Sequence, residues 1–248
     1  MLSASALQGL PEIESGADLG ALIVGALPEP LRAGDVLVLA HKVVSKAEGR
    51  VRSLTDVEPS QRARALANDT GKDPRHVEVV LEESLSLLRA EREVLICETH
   101  HGFICANAGV DASNVPGSDQ VVLLPKDPDS SARQLRARLR ELTGAAPGVL
   151  ITDSFGRAWR HGQCDLAIGC AGVGPLEDWR GRSDAHGREL RATWIAVADE
   201  LAAAADLARR KDAREPVVLL RGAESHVTDE DGPGARALLR PAEEDLFR

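Results

Sequence analysis

Aromatic residues are scarce in this sequence of 248 residues, which has no tyrosine, three phenylalanines and three tryptophans. Proteins that bind single-stranded nucleic acid without sequence preference stack its bases on aromatic side chains. The formal net charge of -9 also removes a general attraction to polyanions. We therefore expect no nucleic-acid partner, a core of leucine, valine, isoleucine and alanine, and only local anion sites.

Paired metal-binding cysteines and membrane signals are also missing. The four cysteines form no CxxC pair and have no zinc-finger spacing, which favours reduced structural thiols. The N-terminus lacks the basic start and apolar core of a secretory signal. No apolar run approaches the roughly 20 residues that span a bilayer. We expect a cytoplasmic protein with no membrane segment.

What the sequence does contain is typical of a globular protein. Hydrophobic residues make up 43% and charged residues 28%, which is not the polar excess of disordered chains. The length and the absence of a low-complexity linker predict one domain over residues 1–248, or two intimate subdomains.

Apolar runs and capping residues predict a mixture of strands and helices. One helix is predicted from Ala21 to Leu27, a second ends at Gly71, and a third runs from Pro74 towards Leu88. A fourth is capped by Asp129, and a fifth covers residues 189–209. Strands are predicted near residues 36–40, 93–97, 102–106, 121–124, 148–152, 165–169 and 217–221. Adjacent strands that form hairpins, mixed with strands separated by helices, favour an α+β fold.

The stretch "ITDSFGRAWRHGQ", residues 151–163, combines hard oxygen donors with cations directly after an apolar strand. Asp153 and Ser154 suit Mg²⁺ or Mn²⁺, which prefer oxygen ligands. Arg157, Arg160 and His161 could face an anion in the following loop. The Asp-Ser pair fits equally well as the cap of a turn.

A second stretch, "ANAGVDASNV", places Asp111 and Asn114 in a loop of small residues that would let a ligand approach. An Asx-turn is the simpler interpretation of this loop by itself. Lys42 and Lys46 follow the strand at 36–40 and would lie on one side of a helical turn. A solvated lysine face is the alternative, although ligand-binding loops gather at strand ends.

Common catalytic motifs are absent from the sequence. It has no GxxxxGK[ST] phosphate loop, no GxGxxG fingerprint and no GxSxG nucleophile elbow. No HExxH or similar spacing joins the histidines, which favours surface or hydrogen-bonding roles for His41, His100, His101 and His161. The residues alone thus predict metal-assisted phosphate chemistry, but they do not identify the reaction or its substrates.

Five blocks in order, "GDVLVLAHKVVSKAEGRV", "ANAGVDASNV", "LLPKDPDSSARQLR", "ITDSFGRAWRHGQCDLAIGCAG" and "ADELAAAADL", resemble the coenzyme F420-0:gamma-glutamyl ligase family. The similarity runs from about Leu10 to the closing "LLRPAEEDLF". It implies a GTP-dependent ligase that adds L-glutamate to coenzyme F420-0 and extends a gamma-linked polyglutamate tail through an acyl-phosphate intermediate. It also implies two sites for Mg²⁺ or Mn²⁺, stimulation by K⁺, and an intertwined homodimer with an α+β fold.

The resemblance also implies a set of site residues. Metal ligands would be Asp111, Asp153 and Ser154, the last standing where threonine is common. Nucleotide contacts would be Leu10, Pro11, Glu12, Ile13, His41, Lys46 and Asn114. A further nucleotide loop is implied near residues 209–215, where "RRKDARE" differs from the glycine-containing versions. Arg157 and Arg160 are candidates for offsetting charge during phosphoryl transfer.

Two alternatives stay open at this point. One is a metal-dependent ligase or phosphotransferase on the same scaffold that acts on another carboxylate acceptor. The other is a nucleotide-binding regulatory module without turnover, which the combination of Asp111, Asp153 and the Ser154 hydroxyl argues against. Some family members carry a C-terminal flavin-dependent reductase domain; because this sequence ends at Arg248, we expect ligation only.

Overall fold

The computed structural model describes residues 1–113 and 119–245, and it has the mixed α+β architecture that the sequence predicts. The described strands are β1 (Ser3–Ala6), β2 (Val36–Ala40), β3 (Val51–Ser53), β4 (Ser84–Glu91), β5 (Val94–Thr99), β6 (Ile104–Ala106), β7 (Gln120–Val122), β8 (Gly148–Arg157), β9 (Arg160–Ala171), β10 (Glu177–Asp178), β11 (Trp194–Ile195) and β12 (Val217–Arg221). The described α-helices are α1 (Leu19–Ala26), α2 (His41–Ala47), α3 (Gln61–Thr70), α4 (Pro74–Glu82), α5 (Pro128–Thr143) and α6 (Val197–Asp206).

The largest sheet has the strand order β1-β12-β2-β8-β9. Strand β2 lies at its centre, and the first four of its five residues are buried. Alternate residues of such a strand face opposite sides of the sheet, so Leu37 and Leu39 join one buried cluster while Val36 and Val38 join another. A continuous apolar run is therefore what this position requires.

Strand directions bring four separate segments to one edge of this sheet. β2 and β8 are parallel, so the carboxyl end of β2 at Ala40 lies beside Thr152 in the middle of β8, which continues to Arg157. β12 runs antiparallel to β2, and β1 antiparallel to β12. The amino end of β12 and the carboxyl end of β1 therefore reach the same edge. Loops at the carboxyl ends of parallel strands commonly form ligand sites.

A smaller sheet, β4-β5-β6, packs with α3 and α4 around a third buried cluster. The predicted hairpin around His100 and His101 is confirmed, because β5 and β6 pair antiparallel on either side of them. The predicted end of α3 at Gly71 is also confirmed. Gly71 has φ of +70°, the left-handed conformation that glycine adopts without steric cost.

The prediction of a helix from Pro74 to Leu88 is wrong beyond α4. After Glu82 the chain becomes β4, which pairs antiparallel with β5. Arg92 and Glu93 form the tight turn between them with φ of +51° and +66°, as expected of the turn type that matches strand twist. The hairpin satisfies backbone hydrogen bonds and buries Leu95 of β5, so tertiary pairing overrides local helix preference.

The predicted helix over residues 189–209 is also too long, because α6 covers only Val197–Asp206. Trp194 and Ile195 form a short strand that pairs with β10. The guanidinium of Arg180 lies 4.3 Å from the centre of the Trp194 ring, which is a cation–π contact. The apolar spacing that suggested one helix therefore spans two elements.

Asp129 is not the cap of α5. Asp127 takes that place, and its carboxylate accepts a hydrogen bond from the Ser130 backbone N–H. Asp129 lies in the first turn of the helix and accepts instead from the backbone N–H groups of Cys170 and Ala235. It thereby joins α5 to β9 and the C-terminal segment.

The remaining predicted strands occur where expected, and β8 and β9 are longer than predicted. Strand β1 was not predicted, since "SASA" is short and only half buried. Among residues 1–113 and 119–245, no helix is long and apolar enough to cross a membrane.

Candidate active site

A cavity of about 710 Å³ opens at the sheet edge where the four segments meet. Its walls come from residues 10–13 after β1, one face of α2, the middle of β8, Gln163 and Asp165 of β9, and the segment before β12, with Asp111 and Ser113 from the loop before β7. This volume suits a ligand of nucleotide size.

Lys42 and Lys46 both line this cavity, and α2 explains why. The helix begins directly after β2, so residues four apart in it lie on one face. The Lys42 ammonium nitrogen lies 2.7 Å from Asp111 Oδ2 and 2.6 Å from Ser113 Oγ. Lys46 pairs with Glu12. Both ammonium groups thus lie on one wall of the cavity, each paired with a carboxylate, and their role in binding a ligand stays a prediction.

Asp111 is held by backbone pairing and by Lys42. Its N–H and C=O exchange hydrogen bonds with Val122 of β7, which fixes the loop against the strand. Burial opposes ionisation of its carboxyl, but the hydrogen bonds from Lys42 and from the Ser113 N–H outweigh it, and the net effect lowers its pKa. Asp111 therefore presents a charged carboxylate to the cavity.

Asp153 also lines this cavity, but hydrogen bonds and positive charges do not outweigh the effect of burial on its carboxyl group. Burial raises the pKa of its carboxyl to about 6, the nearby Asp111 charge adds to the rise, and the hydrogen bond from the Ser154 N–H at 2.8 Å opposes it. The influence of Asp111 on Asp153 means that the two carboxylates are electrostatic neighbours. Such a pair at one cavity is well suited to hold a cation.

His41 does not neutralise Asp153, although its Nε2 lies 3.5 Å from Asp153 Oδ1. Burial, aided by the charge of Lys42, lowers the pKa of His41 to about 3, so the imidazole is neutral at physiological pH. His41 Nδ1 contacts Ser45 Oγ at 3.3 Å, while Nε2 is buried without a hydrogen-bond partner. The contact therefore lacks the attraction of an ion pair.

Sequence reasoning missed a buried carboxylate, Asp165, which lies beside Ser154 and also lines the cavity. Its side chain is 1% exposed, and Asp165 is the register partner of Ser154 across β8 and β9. Ser154 Oγ donates to Asp165 Oδ1 at 2.6 Å, and Thr152 Oγ1 donates to Oδ2 at 2.8 Å. The sequence signal that could have revealed Asp165 is the β8–β9 hairpin. The turn between the two strands places Asp165 opposite Ser154 on the neighbouring strand.

Arg209 is the main cationic partner of Asp165. It forms a salt bridge with Oδ2 and donates to Thr152 Oγ1 at 3.1 Å. Burial lowers the pKa of the Arg209 guanidinium to about 10, so it remains charged at neutral pH. Lys211, two residues further on, donates from its ammonium to Ser154 Oγ at 2.8 Å. The segment over residues 209–215 is thus fixed to the middle of β8, and most of its members line the cavity.

Other predicted site residues divide into three groups. Leu10, Pro11, Glu12 and Ile13 all line the cavity. Asn114 lies outside the described residues. Arg157 and Arg160 lie opposite each other in the strand register, next to the turn of the β8–β9 hairpin. Both are exposed, and neither lines the cavity. The Arg157 guanidinium donates to the backbone carbonyl of His161 at 2.8 Å. Their proposed role in phosphoryl transfer stays a prediction.

The donors at this cavity fit a divalent cation. Asp111, Asp153 and Ser154 supply two carboxylates and a hydroxyl, the oxygen ligands that Mg²⁺ and Mn²⁺ prefer. Within residues 1–113 and 119–245 there is no group of three histidine, cysteine or acidic side chains around one point. Mg²⁺ usually binds one or two carboxylates and takes its other ligands from water and phosphate, so this sparse set suits it.

Comparison with known proteins gives one consistent result. The family model for F420-0:Gamma-glutamyl ligase matches residues 9–222. A protein of Methanopyrus kandleri named coenzyme F420:L-glutamate ligase is 48% identical over 96% of this chain and 94% of its own length. Proteins of the same name from Methanothermobacter thermautotrophicus and Methanocaldococcus jannaschii are 43% and 44% identical, over 100% and 88% of this chain and 99% and 86% of theirs.

Proposed function

Because this chain belongs to the F420-0:gamma-glutamyl ligase family, we propose that it is a GTP-dependent ligase that adds L-glutamate to coenzyme F420-0 and then extends the gamma-linked tail. The named activity of its relatives supports the glutamate and F420 part of the proposal. The use of GTP rests on the resemblance of the sequence blocks and on the cavity.

The observation that best supports nucleotide chemistry is the convergence of distant residues on one cavity. Lys46, Asp111 and the adjacent pair Asp153 and Ser154 come from three separate parts of the chain, and all of them line the cavity together with residues 10–13. Ammonium groups and a cation held by carboxylates are the usual means of binding transferable phosphates. A solvated lysine face or an isolated turn cap would not require this convergence.

An amide does not form from a carboxylate and an amine without activation. In the proposed first step an oxygen of the acceptor carboxylate forms a bond to the GTP gamma-phosphorus, and the bond to the bridging oxygen breaks to release GDP. In the second, the glutamate amine forms a C–N bond to the acyl carbon, the C–O bond to phosphate breaks, and the amine proton leaves to solvent. The balance is one GDP and one phosphate per amide bond.

This chain's own residues would chiefly bind and align the reactants. Lys46 and Lys42 carry positive charge on the wall formed by α2, where they would attract terminal phosphates. Mg²⁺ or Mn²⁺ would be held by Asp111, Asp153 and Ser154 and would neutralise phosphate charge. Alignment and electrostatic stabilisation provide most of the rate in such reactions.

The proposal also includes stimulation by K⁺, a homodimer and a cytoplasmic location, all of which rest on the sequence resemblance and composition. Sedimentation equilibrium of the purified protein tests the dimer directly. Assays with K⁺ replaced by Na⁺ test the monovalent ion.

The function is tested with purified protein, GTP, Mg²⁺, L-glutamate and coenzyme F420-0. We expect product masses that increase by whole glutamate residues, with one GDP released per residue added. GDP release that depends on glutamate but occurs only with a different carboxylate acceptor would favour the alternative ligase. Tight GTP binding without an amide product from any acceptor would favour the alternative of a nucleotide-binding regulatory module without turnover.

A further inference from the structure

Asp165 lines the cavity beside Ser154, and the sequence resemblance implies no role for it. It receives hydrogen bonds or salt bridges from four side chains on two segments: Thr152 and Ser154 on β8, and Arg209 and Lys211 before β12. A carboxylate this deeply buried is strongly destabilised unless its partners satisfy it. Its four partners satisfy this carboxylate, and through it they are held together on one side of the cavity.

The hydrogen bond from Ser154 determines what Ser154 can offer a ligand. A serine hydroxyl has one proton and two lone pairs. Because Asp165, paired with the Arg209 guanidinium, only accepts hydrogen bonds, the Ser154 proton is directed to Oδ1 of Asp165. The lone pairs of Ser154 Oγ are left for the cavity, so towards a ligand this oxygen is an acceptor only.

The Lys211 ammonium group donates a hydrogen bond to the same oxygen. The Lys211 ammonium lies 2.8 Å from Ser154 Oγ, 3.6 Å from Asp165 Oδ1 and 3.3 Å from Asp206 Oδ1. Its side chain is 69% exposed, so it can leave without disturbing the core. Arg209, by contrast, is 7% exposed and anchored on the other oxygen of Asp165.

We propose that Asp165 is a positioning residue that accepts the hydrogen bond of the Ser154 hydroxyl, so that the Ser154 oxygen faces the cavity only as an acceptor. We also propose that a divalent cation competes with the Lys211 ammonium group for this oxygen. This inference rests on the proposed function, since it assigns Ser154 to that cation. Residues that orient metal ligands in this manner typically change metal affinity about 10–100-fold when they are replaced.

The test is a double-mutant cycle read out as the dissociation constant for Mn²⁺, measured by electron paramagnetic resonance on nucleotide-free protein. Asp165→Asn is expected to weaken Mn²⁺ binding about 10–100-fold. In a Ser154→Ala background the same change is expected to have almost no further effect, because the oxygen that it orients is absent. Additive losses would overturn the proposal, since they would indicate a general effect of charge or folding.

Asp129→Asn is the matched control. Asp129 is also a carboxylate that joins two segments through hydrogen bonds, to Cys170 and Ala235, but it does not line the cavity. We expect this variant to lose thermal stability while its Mn²⁺ dissociation constant stays at the wild-type value. A loss of Mn²⁺ affinity equal to that of Asp165→Asn would contradict a specific role for Asp165.

Lys211→Met tests the competing cation and avoids any failure of Asp165→Asn to fold, because Lys211 is on the surface. We expect tighter Mn²⁺ binding in this variant, and no gain when Ser154→Ala is also present. Unchanged affinity, or a gain that persists without the Ser154 hydroxyl, would overturn the competition.

Ligation by the wild-type protein is measured in parallel, which separates the two proposals. Ligation with an additive cycle contradicts the role of Asp165 and leaves the proposed function intact. A coupled cycle without glutamate ligation contradicts the function and leaves the positioning role intact.

Discussion

Replacing Asp153 with asparagine should stabilise the metal-free protein at neutral pH. Burial raises the pKa of this carboxyl from 3.8 to about 6, a difference of about 2.2 pH units. At about 1.36 kcal/mol per pH unit, ionised Asp153 costs the folded state about 3 kcal/mol. The side chain retains 18% of its exposure, which makes this figure an upper limit.

The sign follows from proton binding. Between pH 3.8 and about 6 the folded protein holds the proton of Asp153 more tightly than the unfolded chain does. The free energy of unfolding therefore falls as pH rises through this window, and the full cost is present above pH 6. Asparagine has a similar shape and carries no charge, so Asp153→Asn should escape this cost.

The assay is urea unfolding of both proteins in EDTA, at several pH values from 4 to 8. We expect nearly equal stabilities at pH 4, and an advantage for Asp153→Asn that grows to a plateau above pH 6. With Mn²⁺ added the order should reverse, because only the wild type gains cation binding energy. An Asp153→Asn protein that is less stable in EDTA at pH 7, or a difference independent of pH, would refute the reasoning.

Two further predictions concern Lys46, which lines the cavity, and Leu150 in the core. Lys46→Ala should raise the KM for GTP about 10–100-fold, because a charge-assisted hydrogen bond contributes about 1.5–3 kcal/mol; steady-state kinetics measures this. Lys72→Ala, outside the cavity lining, serves as the control, and equal effects of the two changes would return Lys46 to the role of a solvated lysine. Leu150 is fully buried in β8, so Leu150→Ala should lower the free energy of unfolding by about 2–5 kcal/mol. Urea titrations measure this change. A loss under 1 kcal/mol would show that the surrounding core readily collapses into the space.

The sequence predicted well those parts of the fold in which one local signal dominates. The strand over residues 36–40 was placed correctly because a buried central strand must be apolar throughout. The end of α3 at Gly71 was correct because the left-handed conformation favours glycine. The helices predicted beyond Glu82 and before Val197 failed because distant strand pairing decided those segments.

The candidate site shows the same division. Asp153 and Ser154 stood out because polar residues follow an apolar strand, and Lys42 and Lys46 because of their spacing. Asp165 gave no comparable signal, since its importance comes from the register that places it opposite Ser154. Arg209 likewise acquires its role only when β12 runs antiparallel to β2 and returns its preceding segment to the same edge.

The most direct test of the central claim is the location of a bound cation. Crystals grown with GDP and Mn²⁺ would show manganese through its anomalous scattering. We predict a manganese peak within coordination distance of Asp153 and Ser154 at the cavity edge, with the nucleotide phosphates on the side of Lys46. A nucleotide bound with manganese elsewhere, and with Asp111, Asp153 and Ser154 all free of it, would contradict the account.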